Sequence, residues 1–195
     1  MYARKLIGSL VVATALIAPG AAHAAPLTCP QEPTVRVFRP WLDPSPYVPI
    51  GSFEADGWTL TGGASRVPGN EPWRVGGAGH ATSLKLPAGA TAVSPPVCIS
   101  IDRPTIRFFA RNTGAPLGRV RATVVVPTLL GELRLPIGVV LNPSERWSPT
   151  LPMPVIVNLL TLLGGPGNVR FELTAAGYKS EWLVDDVYLD PYSKH

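Results

Sequence analysis

Short runs in which apolar and polar residues alternate with a period of two recur along much of this chain. In Arg119–Val126 the even positions, Val120, Ala122, Val124 and Val126, are apolar, and three of the odd ones are polar. Asn168–Thr174 does the same with Val169, Phe171 and Leu173 on its apolar side. Thr105–Arg111 and Leu133–Ile137 keep the rhythm, and Pro136 pushes its strand toward a sheet edge or a bulge. Alternation of this kind puts one face into a core and the other toward solvent, which half-buried antiparallel strands do. Glycine and proline, 19 and 23 residues, punctuate the runs as turn formers. The pattern predicts an all-β fold, a sandwich or barrel of short strands. Leu151–Leu163 departs from it: Val155, Leu159, Leu160 and Leu163 share a helical face, which predicts a short helix near 155–163 or a strand with a loop.

The first residues follow a different plan. Arg4 and Lys5 precede an apolar stretch from Leu6 to Ala18, Pro19-Gly20 breaks it, and Ala22-His23-Ala24 offers the small-x-small pattern of a signal-peptidase site. Residues 1–24 read as a signal peptide, with cleavage after Ala24. The apolar run is shorter than the roughly 20 residues of a membrane span, and Leu151–Leu163 is interrupted by two prolines, so no span is expected in the mature chain. Residues 25–49 form a Pro-rich, extended lead-in with one candidate strand at Val35–Phe38. The strand-dominated domain covers 50–191 and a short tail covers 192–195. The protein is therefore expected outside the cell or in the cell envelope.

Charge and cysteines narrow the partners. The 195 residues hold 17 basic and 13 acidic side chains, and cleavage would remove two of the basic ones. No run of Lys and Arg exists, so nucleic acid is not an expected partner. Cys29 and Cys98 are the only cysteines, and in an oxidising compartment they are expected to pair, with two buried free thiols as the alternative.

Catalytic chemistry finds little support. Beyond the signal segment only His80 and His195 remain, no serine sits in a Gly-x-Ser-x-Gly turn, and the glycines at 76, 77 and 79 lack the lysine of a phosphate loop. Two histidines and a paired cysteine couple leave too few ligands for zinc. No two of the acids are marked as a glycosidase pair.

The two ends of the domain say more. Glu181–Asp190 reads as a strand with Leu183, Asp185, Val187 and Leu189 on one face, the more apolar and thus the core face. Asp185 then points inward and needs hydrogen bonds, a basic partner or a metal ion, because an unpaired buried carboxylate is costly. Near the start, Ser52-Phe53-Glu54 precedes Gly57-Trp58. Oxygen ligands from separate segments suit calcium. These two motifs resemble the ends of galactose-binding-like jelly rolls, with the carbohydrate-binding modules of families four, nine and twenty-two as described examples. The chain also resembles uncharacterised secreted bacterial proteins that share its cysteine pair. The resemblance covers about residues 50–191 and implies an antiparallel jelly-roll β-sandwich. It further implies that Glu54 and Asp185 hold one structural calcium ion. The departure lies at Ile50-Gly51, where the family usually has Asn-Gly.

Sugar rings stack their apolar C–H faces on aromatic side chains, with polar groups fixing orientation. Trp73, in the turn-rich Pro68–Arg74, is the leading platform, with Asn70 and Arg74 beside it, and Trp147 follows another loop. Trp41 lies in the lead-in, while Trp58 and Trp182 flank the end motifs and are expected in the core. The expected function is a non-catalytic binding or adhesion module for polysaccharide or another glycan. A structural or protein-interaction protein of the cell envelope without sugar binding, with an envelope protein as its partner, is the alternative, and a small secreted hydrolase is the third.

Overall fold

The alternating runs become strands, and their apolar sides meet. The structure, a computed structural model, describes residues 29–30, 32–54, 57–100, 103–128, 130–141, 145–155 and 168–191. The signal segment 1–24, the tail 192–195 and nearly all of the helix expected near 155–163 lie outside the described residues. In chain order the first strands are β1 (Val48–Pro49), β2 (Thr59–Thr61), β3 (Ser65–Pro68), β4 (Thr82–Pro87), β5 (Thr91–Val93) and β6 (Val97–Cys98). The longer ones follow: β7 (Thr105–Asn112), β8 (Arg119–Thr128), β9 (Gly131–Val140), β12 (Asn168–Ala176) and β13 (Glu181–Asp190), with β10 (Ser148–Pro149) and β11 (Met153–Pro154) as two-residue edge pieces.

They assemble into two antiparallel sheets, a jelly-roll β-sandwich. Sheet one runs β10–β7–β13–β4–β3, with β1 on β13 and β11 on β7. Sheet two runs β2–β5–β12–β8–β9, with β6 on β12. The predicted faces hold: Val120, Ala122, Val124 and Val126 from β8 and Val169, Phe171 and Leu173 from β12 lie in the core. Sheet one answers with Leu84, Leu86, Ile106, Phe108, Trp182 and Val184. Trp58 is in this core as well, tilted against Phe53 at 5.0 Å between ring centroids. β9 is the edge strand that Pro136 foretold, and its register with β8 slips between Ala122 and Thr123, where Gly138 and Pro136 are the successive partners. An edge or a bulge is where a strand proline costs no ladder bond.

Sheet one also carries a second cluster, on the side away from sheet two. Phe109 of β7 and Tyr188 of β13 pack there against Val37, Phe38 and Tyr47 of the lead-in. The lead-in is thus not a loose extension. Val35 and Tyr47 bond through both backbone groups at 2.8 Å, closing a loop that includes a 3₁₀ turn at Arg39–Trp41. Phe38 stacks on Phe109 at 5.4 Å with planes 7° apart. Arg107 of β7 lies over the Phe38 ring at 4.0 Å and donates to the Tyr47 hydroxyl, Asp43 and the Thr150 carbonyl. Residues 35–47 form a strap that makes a third layer. Six residues before the strap, Cys29 is disulfide-bonded to Cys98 of β6, so the chain that leads into it is tied to sheet two as well. No helix among the described residues is long and apolar enough to cross a membrane.

Candidate functional site

The loop between β3 and β4, residues 69–81, folds over the outer face of sheet one beside the strap. Its shape is set by one side chain. Glu71 is buried, and its two carboxylate oxygens accept the backbone N–H groups of Trp73 and Val75. Asn70 closes the base, accepting from the Glu71 N–H at 2.7 Å and donating to the His80 carbonyl at 3.0 Å. Asn70 therefore holds the loop with the groups that were expected to contact a ligand.

This brace leaves Trp73 outward, 42% exposed, while its ring rests edge-on against Trp41 at 4.7 Å and tilted against Phe109 at 5.6 Å. Arg74 is exposed next to it and reaches the Ala78 carbonyl at 3.4 Å. Trp147 is half-buried against the same aromatic cluster. Of the four expected ligand residues, Trp73, Arg74 and Trp147 thus border one aromatic surface. Trp41 completes it, although in the sequence it is one more residue of the Pro-rich lead-in.

Beneath the loop lies a group of buried acids, and here the sequence reading needs correction. Asp185 does not share a face with Val187 and Leu189. Trp182 and Val184 point into the core, and so do Val187 and Leu189. Between them the pairing of β13 with β7 shifts: Asp185 pairs with Phe109, and the next pair is Tyr188 with Arg107. One extra residue is taken up in a β-bulge, with Asp186 in the left-handed region at φ 50°. Asp185 therefore faces outward with Phe109, under the loop rather than in the sandwich core.

Its oxygens accept the N–H groups of Glu71 at 3.1 Å and of Asp186 at 3.0 Å. Asp186 accepts from the Tyr188 hydroxyl at 3.3 Å, and His80 Nδ1 lies 3.5 Å from the same oxygen. Burial, and after it the Asp186 charge, push Asp185 up to about 8. Burial pushes Asp186 up to about 6 against the pull of His80, and burial likewise raises the Tyr188 phenol. A small pocket of about 260 Å³ opens where the strap, β1, Gly76, His80 and Asp186 meet.

Glu54 is exposed and sits at the foot of the loop, where its Oε1 accepts the N–H groups of Ala81 and Thr82, both at 2.7 Å. Calcium takes six to eight oxygens. The groups that meet Glu54 Oε1 and both Asp185 oxygens are N–H donors, which a cation repels. Among the described residues no three His, Cys, Asp or Glu side chains converge on a metal position. The donor set does not fit the ion.

The raised acids carry a pH prediction. A carboxyl that holds its proton to about 8 when folded but only to about 4 when unfolded binds more protons in the native state. Its contribution is complete below the unfolded value and is lost as pH rises through the folded one. The melting temperature is expected to fall between pH 5 and pH 8.5, and Asp185→Asn to flatten that slope and melt higher at pH 8.5. Equal slopes for both proteins in calorimetry would refute the raised Asp185.

The outer face of sheet two has a contrasting character. Thr61 and Arg121 lie at the ends of a row through Thr91 and Thr174, whose hydroxyls are 3.1 Å apart. Arg134 pairs with Glu172 and with Glu132, and Arg170 with Glu132. It is a polar, ion-paired sheet surface.

No family model and no curated protein matches the chain. Among solved structures it is similar to the CBM22-1 xylan-binding domain from Paenibacillus barcinonensis Xyn10C, at 16% identity and a TM-score of 0.47, covering 73% of this chain and 93% of that one. It is similar as well to the family 11 carbohydrate-binding module from Clostridium thermocellum in complex with a β-1,3-1,4-mixed-linked tetrasaccharide. There the identity is 13%, the TM-score 0.47, and the coverage 75% of this chain and 96% of that one. A third similar structure is TmCBM61 in complex with β-1,4-galactotriose, at 13% identity and a TM-score of 0.42, covering 72% and 94%. All three are carbohydrate-binding modules, the group that the two end motifs resemble. At these identities the likeness concerns the fold alone.

Proposed function

We propose that this chain is a secreted, non-catalytic carbohydrate-binding module whose ligand stacks on Trp73. The observation that carries the reading is the brace around that residue. A large aromatic face is exposed, yet its backbone is tied to the buried Glu71 and its ring is backed by Trp41 and Phe109. A platform held in place before binding loses little entropy when the ligand arrives. Arg74 and Trp147 border it and supply a charged donor and a second ring. The disulfide is in keeping with an oxidising compartment.

The test is affinity electrophoresis and calorimetry with xylan, mixed-linkage β-glucan and β-1,4-galactan. Trp73→Ala is expected to weaken binding by about tenfold or more, the order of a lost aromatic contact, while the chain stays folded and melts only a few degrees lower. Arg121→Ala, on the opposite sheet, is expected to bind as the unaltered chain does. The reverse result would place the ligand on the outer face of sheet two. Absence of binding to every polysaccharide at millimolar concentration would reject the module and favour capture of an envelope protein.

A further inference from the structure

We propose that the segment from Asn70 to Thr82 takes the place of a metal ion where the two ends of the domain meet. The inference does not rest on the carbohydrate reading. Glu54 enters from the start of the domain, and Asp185 and Asp186 come from its last strand. In a metal-tied junction a single cation neutralises such carboxylates and draws the segments together. Here burial leaves Asp185 holding its own proton, and one stretch of backbone draws the segments together. Its C-terminal end gives the Ala81 and Thr82 N–H groups to Glu54, and the Thr82 hydroxyl donates to the Phe53 carbonyl at 3.1 Å. Its N-terminal end gives the Glu71 N–H to Asp185.

Between these ends the segment fills the space. A Cβ built on Gly76 would lie 2.1 Å from His80 Nδ1 and 2.5 Å from Asp186 Oδ1. A side chain at this position would have to displace the His80 ring and the Asp186 carboxylate, so the Gly76 backbone lies close against both groups. The Asn70 side chain fastens the two ends of the segment to each other, so each carboxylate grips a closed unit rather than a free strand. Hydrogen bonds to a charged carboxylate are roughly twice as strong as neutral ones, which lets the Ala81 and Thr82 amides hold the exposed Glu54, while Asp185 keeps its own proton and accepts the Glu71 amide as a neutral acid. One oxygen of the group, Asp186 Oδ2, is buried without a hydrogen-bond partner, and it is where a residual ion would have to sit.

The experiment compares the purified chain with Glu54→Gln and Glu54→Ala, each melted in calcium chloride and in EDTA, and each titrated with terbium while tryptophan-sensitised emission is recorded. If the segment is the tie, melting is the same in calcium and EDTA, and terbium emission stays at background. Glu54→Gln, which keeps a carbonyl oxygen for both amides, then retains slow hydrogen exchange at Ala81 and Thr82, and Glu54→Ala exchanges there at least tenfold faster. A native-state ligand at about 100-fold over its Kd raises the melting temperature by roughly 5–10 °C in a chain of this size. A calcium-dependent rise of that size, reversed by EDTA and lost equally in Glu54→Gln and Glu54→Ala, would overturn the proposal. So would saturable terbium emission that Asp186→Asn abolishes.

Discussion

Replacing Phe38 with alanine is expected to lower the melting temperature by roughly 10 °C, the effect of losing about 3–5 kcal/mol from a chain of this length. The residue ends the candidate strand Val35–Phe38 of the Pro-rich lead-in, and it is fully buried. Its ring has Phe109 stacked on one side, Tyr47 at 4.6 Å, Tyr188 edge-on at 6.0 Å and the Arg107 guanidinium across its face. Alanine would leave a cavity bounded by groups from two sheet strands and the strap. Removing residues 25–47 altogether is expected to give an insoluble product, because Phe109 and Tyr188 would become an exposed apolar patch. Leu42→Asp serves as the control in the same strap. Leu42 is 95% exposed and its replacement is expected to leave the melting curve unchanged. A Phe38→Ala protein that melts like the unaltered chain would show that the strap does not belong to the folded body.

Removing the disulfide by Cys29→Ser with Cys98→Ser is expected to cost about 4 kcal/mol on the chain-entropy account of a loop this long. The two cysteines are 69 positions apart, and the loop they close contains the strap, β1 to β5 and the loop with Trp73. Denaturant titration with and without a reductant measures the loss. Equal midpoints in the two conditions would contradict it. The effect should not add simply to that of Phe38→Ala. Both changes release the strap, so a double-mutant cycle is expected to show coupling of about 0.5–3 kcal/mol. The chain is held by a covalent bond ahead of the strap and by β1 after it, and an aromatic anchor lies between.

The sandwich was legible because β12 alternates along its whole length and β8 alternates from Arg119 to Val124, before Val125 is buried as well. The strap was not, because its signal lies elsewhere. Phe108-Phe109 puts two rings on opposite sides of β7, which means that the outer side of sheet one must be covered too. The site was half legible. Trp73 stood out as an aromatic among turn residues, whereas the importance of Glu71 arises from two backbone amides that only the folded loop directs at it. Asn70 shows the converse: a residue type that suits sugar binding also serves the loop's own hydrogen bonds. Trp41 could not be joined to Trp73 from spacing, since the contact depends on how the strap crosses the sheet.

The bulge in β13 bears on how this chain should be aligned with others. A regular final strand carries its core residues in one parity from end to end. Here Trp182 and Val184 use the even positions, Val187 and Leu189 the odd ones, and Asp186 absorbs the change. Superposed without a one-residue gap, either the first half of the strand or the second matches a regular partner, never both. Placing the gap between Asp185 and Val187 restores both halves to one core.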